Sequence, residues 1–273
     1  MWPHNVPKKY IVTFLIITLA ISWGMAAVLS QLSEQARVLA SFLIVVPTMT
    51  AITLNVLYHQ GVKQVYTPVF TGTTRKSILF ALIYPVGFIT LIGCIALITG
   101  KATINYQNLP SLIDLLMALI VIFFSMVIAF GEEYGWRGFL LPALASYYGR
   151  GWAAIGVGLA WAFYEIPAIY LLSAFGESTQ PLFTSFIQGL VLLVLSIPLA
   201  YCYFLSESSI IGVLLMRAVW DVTSSLVLGD GSAEARTFLA GSYQLWGVVP
   251  LELLLGLGAA IYFGIKLQHK FKA

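Results

Sequence analysis

The residues able to do chemistry in this chain are few, and they are charged. Glu132, Glu133 and Arg137 lie in the run Gly131-Glu132-Glu133-Tyr134-Gly135-Trp136-Arg137-Gly138, between the apolar stretches 115–130 and 139–145. Glu165 follows in Trp161-Ala162-Phe163-Tyr164-Glu165-Ile166-Pro167, and Arg217 and Asp221 in Arg217-Ala218-Val219-Trp220-Asp221. Each sits inside a segment apolar enough to enter a bilayer, where a charge at mid-helix costs at least ~2.5–3.5 kcal/mol. A group kept at that cost is by default part of a site that faces other helices or water. Glu133 and Arg137 are four apart, as are Arg217 and Asp221, so each pair shares a helix face and can form an ion pair. Neighbouring carboxylates can divide the work of base and acid toward a water. A guanidinium can stabilise an oxyanion. The formal sum is four acids against two bases. In a low dielectric that imbalance calls for a bound proton, a cation or a water-filled approach.

Other chemistries fit less well. Carboxylates alone suit hard cations such as magnesium, calcium or manganese, so a divalent ion is compatible with the cluster. Zinc wants histidine or cysteine, and His4, His59 and His269 all fall at expected membrane edges. No cofactor is therefore expected. Trp161 and Trp220 flank the charges and are the candidates for substrate contact, although aromatic residues so placed commonly serve packing. A purely structural network pinning three helices together is the plain alternative, and the excess of acids argues against it. Glu252 is a lone carboxylate in the last apolar segment, placed either at the interface or in the network.

These residues must be positioned by membrane helices. The 273 residues are 60% hydrophobic and only 9% charged, with mean hydropathy +0.92, against about 25% charged residues in a soluble domain. A net charge of +3 is too weak to suggest nucleic acid as a partner. Cys94 and Cys202 lie in apolar runs and read as buried thiols. At about 20 apolar residues per crossing, eight spans are expected, at 11–30, 37–58, 77–99, 111–144, 153–172, 184–204, 209–228 and 245–267. The first is too long for a signal-peptide core and is expected to be retained. Connections are short, so residues 1–273 form one all-α transmembrane domain, a polytopic bundle in contact with the lipid bilayer. Lys8, Lys9, Lys63, Arg75, Lys76, Arg150, Lys266, Lys270 and Lys272 fall on one side of such a bundle, with only Arg37, Lys101 and Arg236 on the other. The positive-inside rule then places both termini in the cytoplasm, with the cell membrane as the expected location.

The fourth segment is longer than one straight crossing. Asp114 marks its start at the outer interface, and Pro142 with Gly131, Gly135 and Gly138 permits a kink or close helix contact. Ala154, Gly158 and Ala162 form a second small-residue stripe. Trp23, Trp152 and Trp246 near span ends read as interface anchors. Counted from the basic end, Glu133, Glu165 and Asp221 lie 11 or 12 residues in, or roughly 18 Å, while Arg137 and Arg217 lie roughly 11 Å in. Three separate spans thus bring acids to one depth and arginines to a shallower one.

The paired glutamates with arginine at 132–137, set in a multispan chain, resemble the CAAX prenyl endopeptidase and bacteriocin-processing family of intramembrane proteases. The resemblance covers about 115–228. That family pairs this motif with an aromatic followed four residues on by histidine, and with a histidine followed four residues on by asparagine or aspartate. Here Trp161 and Asp221 fit those patterns, while Glu165 and Arg217 stand in the histidine places. The resemblance implies that Glu132 activates a water toward a peptide carbonyl in a membrane-anchored or prenylated peptide substrate. Two readings follow. In the first the protein is an endopeptidase in which Glu132 and Glu165 share a proton, Arg217 stabilises the oxyanion and Asp221 holds Arg217. In the second it is a catalytically silent relative acting in membrane binding, immunity or scaffolding, with Glu165 and Arg217 closing the site by an ion pair. A transporter with an acidic ion path is a third class, but the charges have no counterpart in the first half of the chain.

Overall fold

A computed structural model describes residues 6–31, 41–59, 69, 72–175, 180–228, 239–240 and 248–269. Helices α1 (Lys8–Leu29), α2 (Val46–His59, entered through a 3-10 turn at Ser41–Val45) and α3 (Arg75–Ile98) come first. Then α4 (Leu112–Glu133) runs without interruption through a π-helical segment (Tyr134–Leu140) into α5 (Leu141–Tyr148). Helices α6 (Arg150–Phe175), α7 (Pro181–Leu205), α8 (Ile211–Val227) and α9 (Val249–His269) complete the bundle. With α4, the π segment and α5 taken as one, each expected span has its helix. Strands β1 (Thr103–Ile104) and β2 (Leu239–Ala240) pair antiparallel, tying the loop before α4 to the one before α9. Six helices are long and apolar enough to cross a bilayer, namely 8–29, 75–98, 112–148, 150–174, 181–205 and 249–269. The chain is an integral, multi-pass, all-α membrane protein.

The succession of helices carries Lys8, Lys9, Arg75, Lys76, Arg150 and Lys266 to one end of the bundle and Lys101 to the other. Contacts between elements hold that end together. Tyr147 Oη donates to the Val6 carbonyl at 2.9 Å, Thr74 Oγ1 donates to the Leu205 carbonyl at 2.8 Å, and Gly151 packs on Gln268. Arg37, Lys63, Arg236, Lys270, Lys272, His4 and Trp246 lie outside the described residues, as does the expected start of the second span.

Local chemistry explains the elements that matter for the cluster. Ser111 and Asp114 form a capping box at the start of α4, satisfying amides that have no partner within the helix. Asp114 thus sits at a helix start, as expected for an interface position. The π segment lies where the long span was expected to kink. Pro142 offers no N–H and its ring crowds the carbonyl four residues back. The turn before it widens, and the Leu141 amide donates to the Trp136 carbonyl, five residues back. Pro167 does the same to the Phe163 carbonyl in α6, and Trp23 Nε1 of α1 donates to that carbonyl at 3.1 Å. Trp23 therefore ties α1 to α6, with its ring 4.8 Å from that of Phe163, rather than serving only as an interface anchor. Trp152 is exposed, as an interface residue should be.

Small residues set the closest helix approaches. A Cβ on Gly135 would lie 2.6 Å from the Pro47 backbone, and one on Gly131 would lie 2.8 Å from the Ile44 carbonyl oxygen. The two glycines, four apart, are the groove into which the start of α2 fits. Gly138 makes only ordinary contacts. Gly158, in the stripe on α6, sits against Leu193 and Ser196 of α7 in the same way.

Candidate functional site

Three helices deliver the cluster, as the sequence predicts. Glu132 and Glu133 end α4, Arg137 lies in the π segment, Trp161 and Glu165 are on α6, and Arg217 and Asp221 are on α8. Glu133 and Arg137 are fully buried and paired at 2.9 Å between Oε1 and Nη1. Arg137 Nη2 also donates to Ser196 Oγ of α7 at 3.2 Å, and Ser196 Oγ donates to the Ala154 carbonyl of α6 at 3.2 Å. The arginine thereby knits the π segment to α6 and α7. Burying this pair is tolerable because its charges meet at hydrogen-bond distance.

Arg217 reaches up from the shallower layer toward the acids. Its Nε donates to both carboxylate oxygens of Asp221 at 3.1 Å. Its Nη1 lies 3.8 Å from Glu132 Oε2 and 3.8 Å from Glu133 Oε1. Those are ion-pair distances but too long for hydrogen bonds, and Nη1 itself has no hydrogen-bond partner. Glu133 Oε2 is likewise buried without one. Two polar atoms of opposite sign are thus left buried without hydrogen bonds.

Trp161 is fully buried at the centre. Its Nε1 donates to Glu132 Oε2 at 3.1 Å. The Arg137 and Arg217 guanidinium carbons lie 4.4 and 4.8 Å from its ring centroid, within cation–π range. Glu165 is half-buried one turn further along α6, within electrostatic reach of Glu132 and Arg217. It makes no ion pair with Arg217. The Glu165–Arg217 bridge expected of a silent site does not form, because Asp221 and the twin glutamates occupy the guanidinium instead.

Trp220 and Glu252 stand apart from this group. Trp220 turns to the other side of α8 and packs on Phe88 and Tyr84 of α3, with ring centroids at 5.2 and 6.4 Å. With Glu252 these aromatics line a separate pocket of about 200 Å³. Trp220 is therefore not part of the cluster, and Glu252, in the first turn of α9, does not join the network either. Among the described residues, no group of three His, Cys, Asp or Glu side chains is placed to hold a metal ion.

The acids open into a cleft between α4 and α8. Its inner part, about 330 Å³, is lined by Glu132, Glu133, Arg217, Asp221, Ser125 and Ile44, among others. Its outer part, about 850 Å³, shares Ser125 and Asp221 and continues along both helices to Asp114. The Asp221 side chain is 46% exposed there. Asp221 thus faces an open cleft rather than closed protein.

The sequence reading missed the residues that hold the motif from α2. Asn55 is fully buried and its Nδ2 donates to Tyr134 Oη at 3.0 Å. Thr48 Oγ1 donates to the Phe130 carbonyl at 2.8 Å. Their only signal is a polar side chain in a largely apolar run, and Ser196 has the same weak signature.

No curated protein matches the chain. Residues 114–223 match the family described as type II CAAX prenyl endopeptidase Rce1-like. The matched segment begins at the capping aspartate of α4 and ends two residues past Asp221, so it spans every charged member of the cluster. With the twin glutamates, Arg137 and Asp221 brought together inside it, this stretch of the chain is similar to the type II CAAX prenyl endopeptidase Rce1-like family.

Proposed function

We propose that the chain is an intramembrane endopeptidase that uses Glu132 to activate water against a peptide bond of a membrane-associated substrate. The observation that carries this reading is that Glu132 and Arg217 line one cavity, with Arg217 Nη1 left without a hydrogen-bond partner 3.8 Å from Glu132 Oε2. Glu132 takes a proton from the water as its oxygen bonds to the carbonyl carbon. The carbonyl oxygen becomes an oxyanion beside Arg217, whose charge is aimed at it by Asp221. Collapse breaks the C–N bond, and the departing nitrogen takes the proton held by Glu132. Glu165 is the second acid able to carry that proton, and Trp161 fixes the orientation of the Glu132 carboxylate. Glu133 and Arg137 hold the frame. The chain acts as one transmembrane domain in the cell membrane with both termini in the cytoplasm.

A second reading, a silent relative that binds a membrane partner or confers immunity, is favoured by one observation. Arg217 Nη1 lies equally close to both glutamates, so the cluster can also rest as a neutralised lock between α4 and α8. Reconstitution into liposomes with membrane-anchored reporter peptides separates the two. The endopeptidase reading expects cleavage by the wild type and at least a hundredfold loss in Glu132→Gln. Equal cleavage by that variant, or none by the wild type across a varied peptide set, ends it in favour of the binding role.

A further inference from the structure

The cleft has a direction. From Glu132 it follows α4 toward Asp114 and α8 toward Leu226, and its lining includes no residue of the π segment or of α5. On the opposite side all seven π residues are buried, as are Ile210 and Val213 at the start of α8. Among the described residues, the acids are therefore sealed from the end of the bundle that carries Lys8, Arg75, Arg150 and Lys266, and they open toward the end that carries Lys101.

The cleft is suited to a polar occupant. A carboxylate 46% exposed within a membrane helix needs water around it. Ser125 and Ser225 add hydroxyls to walls otherwise formed by Met117, Val121 and Leu226. From Asp114 to Glu132 is 18 residues of helix, or about 27 Å, which matches about eight residues of extended chain. Among the described residues, Asp114 and Asp221 are the charges on its outer part, and no cation lines it there.

We propose that the acids are reached from the membrane face opposite the chain termini, and that the cleft admits an extended peptide segment bearing basic side chains from that face. The nature of the occupant rests on the proteolytic reading, whereas the side of entry does not. An aqueous cleft lets the peptide backbone keep its hydrogen bonds, which a lipid-filled one would deny. Basic side chains are drawn to Asp114 at the mouth, and acidic ones are repelled by both carboxylates.

Sided cysteine labelling tests the route without requiring turnover. Cys94, expected to be buried, is exposed, whereas Cys202 is buried, so Ser125→Cys and Ser225→Cys, each in a Cys94→Ala background, are treated with a membrane-impermeant methanethiosulfonate in vesicles of known orientation. A tag on the C terminus reports the side of that end. Labelling at least tenfold faster from the face opposite the tag is expected at both positions. Faster labelling from the tagged face, or no labelling above that of Cys94→Ala alone, overturns the route. An eight-residue peptide with two lysines should then slow labelling of Ser225→Cys at least fivefold. Its glutamate counterpart should not, and Asp114→Asn should reduce the difference. Equal protection by both peptides, or by neither, overturns the basic-peptide occupant. A protein labelled and protected in this way that cleaves nothing retains this inference and loses the proteolytic one.

Discussion

At the scale of single residues, Trp161 decides how the cluster is held. Its indole N–H is the hydrogen-bond donor to Glu132, and its ring stands against both guanidinium groups. Either partner alone would leave a charge free to swing; the ring and the N–H together fix two cations and one acid. Trp161→Phe keeps the ring and removes the donor. A hydrogen bond to a charged acceptor is worth ~1.5–3 kcal/mol, so on the proteolytic reading the variant should lose roughly ten- to a hundredfold in the rate of peptide cleavage. Its thermal midpoint in detergent should fall only slightly, because Arg137 remains paired to Glu133 and Ser196. Single-turnover cleavage measured beside thermal unfolding checks this. A large loss of stability at unchanged rate would mean that the indole N–H supports the fold and not Glu132.

At the scale of elements, the motif is a bent helix seated in a cradle. The bend belongs to Pro142, and the cradle to Gly131 and Gly135, against which Ile44 and Pro47 rest. Gly135→Ala puts a methyl group 2.6 Å from the Pro47 backbone, which rigid backbone cannot yield without moving α2. Such overpacking costs ~1–3 kcal/mol. Gly138→Ala, three residues on, meets nothing closer than 3.5 Å and should unfold at or above the wild-type temperature. Comparing the two by thermal unfolding separates the cradle from mere glycine content. Trp23→Phe makes a related test at Pro167. It keeps the ring contact with Phe163 and strips the donor from the freed carbonyl, for a loss of ~0.5–1.5 kcal/mol. The sequence announced the glycines and the prolines, since both interrupt an apolar helix visibly. It did not announce what they meet, because Ile44, Pro47, Thr48 and Asn55 look like ordinary members of a short apolar segment. The role of Trp23 was hidden for the same reason: a tryptophan near a span end looks like an anchor until the carbonyl it satisfies is in view.

At the scale of the whole molecule, the charges were the most readable feature. Apolar composition makes every intramembrane acid or arginine conspicuous, and counting residues from the basic end brought the acids of three spans to one depth. Arginine side chains are long enough to bridge the expected offset between the layers, so Arg137 and Arg217 meet acids one turn deeper. Which face of α8 turns inward was less readable, and Trp220 was placed with the cluster although it packs on α3. The same charge pattern that located the site also predicts an orientation that can be tested. The described basic residues at the ends of α1, α3, α6 and α9 gather at one end of the bundle, and the retention of such residues on the cytoplasmic side follows from the positive-inside rule. Reporter fusions active only in the cytoplasm should therefore work at both termini, and a fusion near Lys101 should not. Adding three lysines beside Lys101 while replacing Lys8, Lys9, Arg75 and Lys76 with glutamine should weaken the bias and yield a mixed population. A reporter silent at either terminus of the unmodified chain would break the eight-span alternation on which the sidedness of the cleft also depends.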